Sequence, residues 1–143
     1  MSTENAAFTR PAARLTHAGA LVALNAAVVK AEAMGVPQNI SIVDEGGNLL
    51  AFVRMDGAKL LSRETSLSKA ISAASHRQPT SRLDPALELK LAIAAGGRLT
   101  NLEGGFPIIL DGVCVGGIGV GSGKGAEDVE VAKAALAAIG AEV

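Results

Sequence analysis

The sequence is poor in aromatic residues and in cysteine. It has three phenylalanines, no tryptophan or tyrosine, and one cysteine in 143 residues. A single cysteine excludes a disulfide within the chain and fits a reducing compartment. The formal net charge is −1, and few aromatic side chains are available to stack on bases. Both features argue against nucleic-acid binding, so we expect no nucleic-acid partner.

Long apolar runs are also missing. No stretch approaches the roughly 18 residues needed to span a bilayer. The first residues, Met1 to Asn5, lack the basic and apolar regions of a signal peptide. We therefore expect a cytoplasmic protein without membrane contact. The length fits one domain, which we place at residues 15–143, after an N-terminal arm at residues 1–14.

Glycine, by contrast, is abundant, and it marks a predicted β-hairpin. Two apolar runs, Phe106 to Leu110 and Val113 to Val120, flank Asp111-Gly112, a dipeptide typical of tight hairpin turns. Both runs are almost continuously apolar, which predicts strands covered on both faces. The second run contains Gly116, Gly117, Gly119 and Gly121. Such glycines indicate that a helix, a partner subunit or a ligand approaches the backbone closely.

The order of predicted elements indicates an α+β fold. A first helix is predicted from Thr16 to Met34, a second hairpin from Ile40 to Met55, and a Ser- and Ala-rich helix from Ser62 to His76. Asp84-Pro85 begins another helix, and the last one carries acidic Glu127 and Asp128 in its first turn. The sequence thus predicts an antiparallel sheet of four or five strands flanked by helices.

The first helix has two apolar stripes. One is formed by Leu15, Val22 and Val29, and the other by Leu21, Leu24 and Val28, with His17 among them. A helix with two apolar sides is usually covered twice. We expect one side to pack on the sheet and the other to meet a second helix, another subunit or a ligand. His17 is then either a surface imidazole or a metal or haem ligand.

A second group of candidates surrounds the Ser- and Ala-rich helix. Lys69 either lies on a solvated face or projects into a pocket, where it would bind a carboxylate or act as a base. The loop after the central hairpin consists of Gly121, Ser122, Gly123, Lys124 and Gly125. It lacks the spacing of a phosphate-binding loop. It is either a mobile surface loop or an anion site at a helix N-terminus.

Four stretches together resemble one protein family. They are Leu15 to Ala18, Ile42 to Ala58, Lys69 to Thr80 and Gly104 to Asp128. They resemble the GlcG/HbpS-like family, which includes the C-terminal domain of PduO-type proteins. The resemblance implies an α-β-α sandwich around an antiparallel sheet, and homo-oligomers, often octamers.

The resemblance also implies a function. Some members bind haem, and a histidine in the first helix is associated with the iron, so His17 is the expected iron ligand and Thr100 a further haem contact. Other relatives are lyases of small aromatic hydroxylamino acids. For such an enzyme, acting without a cofactor, we expect Lys69, Arg54 and His76 to be catalytic. The small carboxylated substrate would then bind to residues 121–124. A third interpretation is an accessory oligomeric subunit without a ligand.

Overall fold

The computed structural model describes residues 6–143 and contains four α-helices and four strands. The elements are α1 (His17–Met34), β1 (Asn39–Asp44), β2 (Leu49–Arg54), α2 (Ser62–His76), a 3-10 turn (Thr80–Arg82), α3 (Pro85–Ala94), β3 (Gly105–Leu110), β4 (Val113–Gly121) and α4 (Gly125–Ala138). The predicted order of helices and hairpins is confirmed. None of the helices in residues 6–143 is long and apolar enough to cross a membrane.

The sheet has four antiparallel strands in the order β2-β1-β4-β3. Each hairpin therefore contributes one central and one edge strand. At the β3–β4 turn, Asp111 and Gly112 have φ angles of 51° and 77°. Positive φ at both positions is what a type I′ turn requires. The predicted α+β fold is confirmed, with four strands.

Helices cover both faces of the sheet, so the fold has three layers. On one face, Ile40 and Ile42 of β1 belong to a core that includes the buried sides of α1 and α4. On the other face, Val43 packs with Ala70 of α2, and the Ser41 and Ser66 hydroxyls share a buried hydrogen bond of 2.8 Å. All six residues of β1 are buried, because successive side chains point to opposite, covered faces.

The buried side of α1 differs from our expectation. We expected one of the two apolar stripes to pack on the sheet. Leu24 and Val28 of the second stripe do pack against the core, although only partly buried, and the fully buried residues of α1 are Ala20, Ala23, Ala27 and Ala31. Methyl side chains allow α1 to approach α4 and the sheet closely, which longer side chains would prevent. Val29, from the first stripe, is instead 65% exposed. The apolar surface of α1 is therefore larger than the part hidden within one chain.

Helix α2 lies almost directly on the backbone of β4. A Cβ atom added to Gly117 would lie 2.2 Å from the carbonyl oxygen of Ala70, and one added to Gly119 would lie 1.9 Å from that of Ser66. Real Cβ atoms do not approach oxygen atoms so closely. Of the three explanations for the glycines in this strand, the structure supports the packed helix.

Two segments make little contact with this core. Residues 6–14 form neither helix nor strand, and all are exposed, although the Arg14 side chain makes an ion pair of 3.0 Å with Glu45. Helix α3 has no buried residue. The division into an arm and a domain stays a prediction.

We predict that Gly119→Ala strongly destabilises the protein. The new methyl group would force α2 away from β4, and overpacking of this kind costs about 3 kcal/mol. The measurement is the free energy of unfolding in urea. Gly112→Asn is the matched control, because nothing lies within 4 Å of its Cβ position and asparagine tolerates a positive φ. An equal loss of stability in both variants would contradict the proposed close contact.

Candidate functional site

A buried ion pair joins α2 to α4. The Nζ atom of Lys69 lies 3.0 Å from Oδ2 of Asp128 and donates a second hydrogen bond of 2.7 Å to the carbonyl oxygen of Val120. Only 6% of the Lys69 side chain and 3% of the Asp128 side chain are exposed. The structure thus supports the pocket interpretation of Lys69 over the solvated face.

Burial raises the pKa of the Asp128 carboxyl above its ordinary value, and the neighbouring Lys69 ammonium opposes this shift. Other hydrogen bonds also favour the charged carboxylate, including one of 3.0 Å from the Gly123 backbone N–H to Oδ1. Sequence reasoning missed this partner of Lys69. An acidic residue in the first turn of a helix is already explained by the helix dipole, so only the three-dimensional packing distinguishes Asp128 from Glu127.

A cleft of about 230 Å³ opens beside this ion pair. It is lined by Lys59, Ser62, Thr65, Lys69, Leu102, Glu103, Ser122, Gly123, Gly125 and Asp128. Two members of the predicted substrate loop, Ser122 and Gly123, therefore lie beside Lys69. Hydroxyl and ammonium groups give this cleft several hydrogen-bond donors.

The backbone of the loop holds Ser122 in an unusual conformation. Its φ angle is 94°, which is rare for a residue with a side chain. In this position, the Ser122 hydroxyl accepts a hydrogen bond of 2.8 Å from the Lys59 backbone N–H. The contact ties the loop to the segment before α2, and both residues line the cleft.

The three residues predicted to be catalytic do not share one cleft. Arg54 lies at the end of β2 and lines a different cleft of about 510 Å³ with the last turns of α1. His76 is the exposed last residue of α2. Only Lys69 lines the cleft beside the glycine loop. The structure therefore provides no joint site for Arg54, Lys69 and His76.

His17 is the first residue of α1 and is exposed. It stands at the start of a stripe that continues through Leu21, Leu24 and Val28. Leu21 is 50% exposed, whereas Leu24 and Val28 are partly buried against the core. The imidazole and this apolar stripe thus form a surface on one side of α1.

The second predicted haem contact, Thr100, lies near the β1–β2 turn. Its backbone N–H donates to the Ser72 hydroxyl at 3.0 Å, and Ser72 lines a cleft of about 330 Å³ together with Glu45. Arg14, three residues before His17, forms its ion pair with this same Glu45. Arg14 near His17 and Ser72 beside Thr100 are thus each linked to Glu45, the first by an ion pair and the second through a shared cleft.

The turn itself is held by the Asp44 carboxylate. Its Oδ1 atom accepts hydrogen bonds from the backbone N–H groups of Gly46 and Asn48, at 2.9 and 3.0 Å. Burial alone would raise the pKa of Asp44, but the hydrogen bonds from Asn48 and Gly46 outweigh this effect and place the pKa below its ordinary 3.8. These hydrogen bonds hold the conformation of the turn, whose residues 45–47 line the cleft of about 330 Å³.

Residues 15–137 match the family model described as haem degrading protein HbpS-like. The chain belongs to the HbpS-like family. A relative of this HbpS-like chain, a 15.0 kDa protein from the dhaT-dhaS intergenic region of Citrobacter freundii, is 37% identical over 130 residues. The match covers 87% of this chain and 91% of that protein. The family resemblance of the sequence is confirmed.

Solved structures of similar proteins have the same fold. The crystal structure of the PduOC:haem complex matches with a TM-score of 0.84 and 29% identity, over 91% of this chain and 98% of that one. A double mutant of Streptomyces reticuli HbpS matches with a TM-score of 0.81 and 34% identity, over 91% of this chain and 90% of that one.

Within residues 6–143, no group of three or more His, Cys, Asp and Glu side chains could hold a metal ion.

We predict that Lys69→Met costs about 3–5 kcal/mol of stability, because it leaves Asp128 as an unpaired buried charge. The double variant Lys69→Met/Asp128→Asn should recover at least half of this loss, since it removes both charges and keeps an acceptor for Gly123. The measurement is again urea unfolding, with Lys90→Met on exposed α3 as the control. An unchanged free energy of unfolding in Lys69→Met would show that the ion pair has no stabilising role.

Proposed function

We propose that this HbpS-like chain binds haem or a related tetrapyrrole, with His17 as an axial ligand of the iron. The observation that carries the proposal is the position of His17. Its imidazole is exposed at the start of an incompletely buried apolar stripe. The PduOC:haem complex has the same fold and is 29% identical to this chain in sequence, and it supports the same function.

The chemistry of haem fits this surface. The iron takes a nitrogen ligand from histidine, and the porphyrin ring is stabilised by apolar side chains. His17, Leu21, Leu24 and Val28 follow one another at helical spacing and so share one side of α1. The helix therefore offers a ligand and an apolar surface that are fixed relative to each other.

The clefts around Glu45 offer partners for the two propionates of haem. One cleft of about 620 Å³ is lined by Arg10 and Arg77, and the adjoining one by Arg98. Arginine binds carboxylates through paired hydrogen bonds. Thr100 lies beside this second cleft through its bond to Ser72, which supports the proposed haem contact.

We further propose that the chain forms a homo-oligomer, for which the resemblance suggests an octamer, and that α3 contacts a second copy. An isolated ten-residue helix is marginal in water, and α3 has no buried residue. Leu89 and Ile93 are 68% and 72% exposed. A neighbouring subunit would cover these side chains and stabilise the helix.

The haem proposal is tested by titrating the apoprotein with haem and recording the Soret band. We expect the wild type to shift the Soret band of haem, and the shift to saturate. We expect His17→Ala to shift its maximum and weaken binding at least tenfold, because the iron loses its ligand. His76→Ala is the matched control, since His17 and His76 are the only histidines in the chain. Leu21→Glu should also weaken binding by placing a charge against the porphyrin.

An unchanged Soret band in His17→Ala would remove the role assigned to this residue. A Soret band that stays that of free haem in the presence of the wild type would contradict haem binding altogether and favour the accessory-subunit interpretation.

The assembly proposal is tested by light scattering after size-exclusion chromatography. Leu89→Lys/Ile93→Lys should lower the molar mass of the particle, because two charges replace the apolar contact. Lys90→Gln, on the same helix, should leave the mass unchanged. A monomeric wild type, or an intact assembly of the double variant, would contradict the role of α3.

A further inference from the structure

The ammonium of Lys69 has hydrogen-bonding capacity left over. It carries three N–H donors, and two acceptors lie within reach, the carboxylate of Asp128 and the carbonyl oxygen of Val120. Lys69 also lines the 230 Å³ cleft. A ligand in the cleft could accept the third donor, and the interaction would be strong because the group is shielded from water.

Three hydroxyl groups share the cleft with this ammonium, from Ser62, Thr65 and Ser122. The Ser122 oxygen already accepts from the Lys59 backbone, so its own O–H remains a donor. The positive φ of Ser122 is a strained conformation, which persists only where the surrounding structure enforces it. The hydrogen bond from the Lys59 backbone N–H holds this hydroxyl at the cleft.

The charges around the cleft are two lysines, Lys59 and Lys69, and two acidic residues, Glu103 and Asp128. Asp128 is already paired with Lys69, whereas Glu103 is exposed. The Glu103 carboxylate rests against the start of α4, with Oε2 2.3 Å from where a Cβ of Gly125 would lie. The Glu103 carboxylate thus lies near the N-terminal end of α4, where the helix dipole favours negative charge, but within residues 6–143 it makes no hydrogen bond or ion pair with Lys59, Lys69 or the hydroxyls of the cleft.

The size and the rim of the cleft limit the ligand. About 230 Å³ corresponds to roughly eight water molecules at about 30 Å³ each. Leu102, at the rim, is 51% exposed and offers an apolar surface beside the polar floor. These properties fit an acid with a short hydrocarbon tail.

From these contacts we propose that the cleft between α2, residues 102–103 and the 121–125 loop is a second ligand site. It binds the carboxylate of a short organic acid through Lys69 and the neighbouring hydroxyls, with the ligand displacing the exposed side chain of Glu103. In this role Lys69 binds the acid as a charged donor. The site is separate from His17 and does not depend on haem binding.

The test is isothermal titration of the intact protein with sodium butyrate. We expect saturable binding by the wild type. Glu103→Gln should bind at least threefold more tightly, because it removes the competing carboxylate. Ser122→Gly should bind at least threefold more weakly, since it removes a hydroxyl while relieving the backbone strain. Lys69→Met/Asp128→Asn should bind at least tenfold more weakly. Lys90→Met, on α3, and His17→Ala should match the wild type.

Equal binding of butyramide, the uncharged analogue, would overturn the role of the carboxylate. Equal binding of inorganic phosphate would overturn the assignment to organic acids. Weaker or unchanged binding by Glu103→Gln would overturn the displacement of that side chain. Because His17→Ala leaves this cleft intact, failure of the haem titration and failure of the butyrate titration are separate results.

Discussion

The close contact between α2 and β4 is the constraint on which the rest of the structure depends. At Gly117 and Gly119 the helix backbone lies so near the strand that no side chain fits between them. Such packing maximises contact between the two elements and leaves no room for adjustment. The other face of the sheet is built differently, with larger Ile side chains of the sheet against the alanines of α1.

This contact also creates the buried charge. The Cβ of Lys69 lies 2.9 Å from the Cβ position of Gly119, so the lysine side chain passes directly over the strand. Its ammonium then reaches Asp128 at the start of α4, on the far side of β4. An ammonium in such a place needs a counter-charge and hydrogen bonds. The buried ion pair thus follows from the close packing of α2 on β4.

The outer surface of α1 and α3, unlike the tightly packed interior, leaves large apolar side chains exposed. Small residues face inward on α1, and Leu21, Val22 and Val29 remain exposed. Helix α3 is apolar without any buried residue. Contiguous exposed apolar patches are typical of surfaces that bind a partner or a ligand. Haem binding along α1 and self-association through α3 would cover them separately, so the two proposed functions use different parts of the chain.

The sequence by itself determined the order of the elements, the antiparallel sheet and the family, because turn dipeptides, helix caps and apolar runs act over a few residues. It also indicated that something lies on the glycines of β4. Only the tertiary structure decided that Asp128 is the partner of Lys69, and that Arg54 and His76 lie apart from it. It likewise decided that alanines form the buried side of α1. These facts depend on contacts between residues distant in the chain, and periodicity along one helix does not report which neighbour that helix meets.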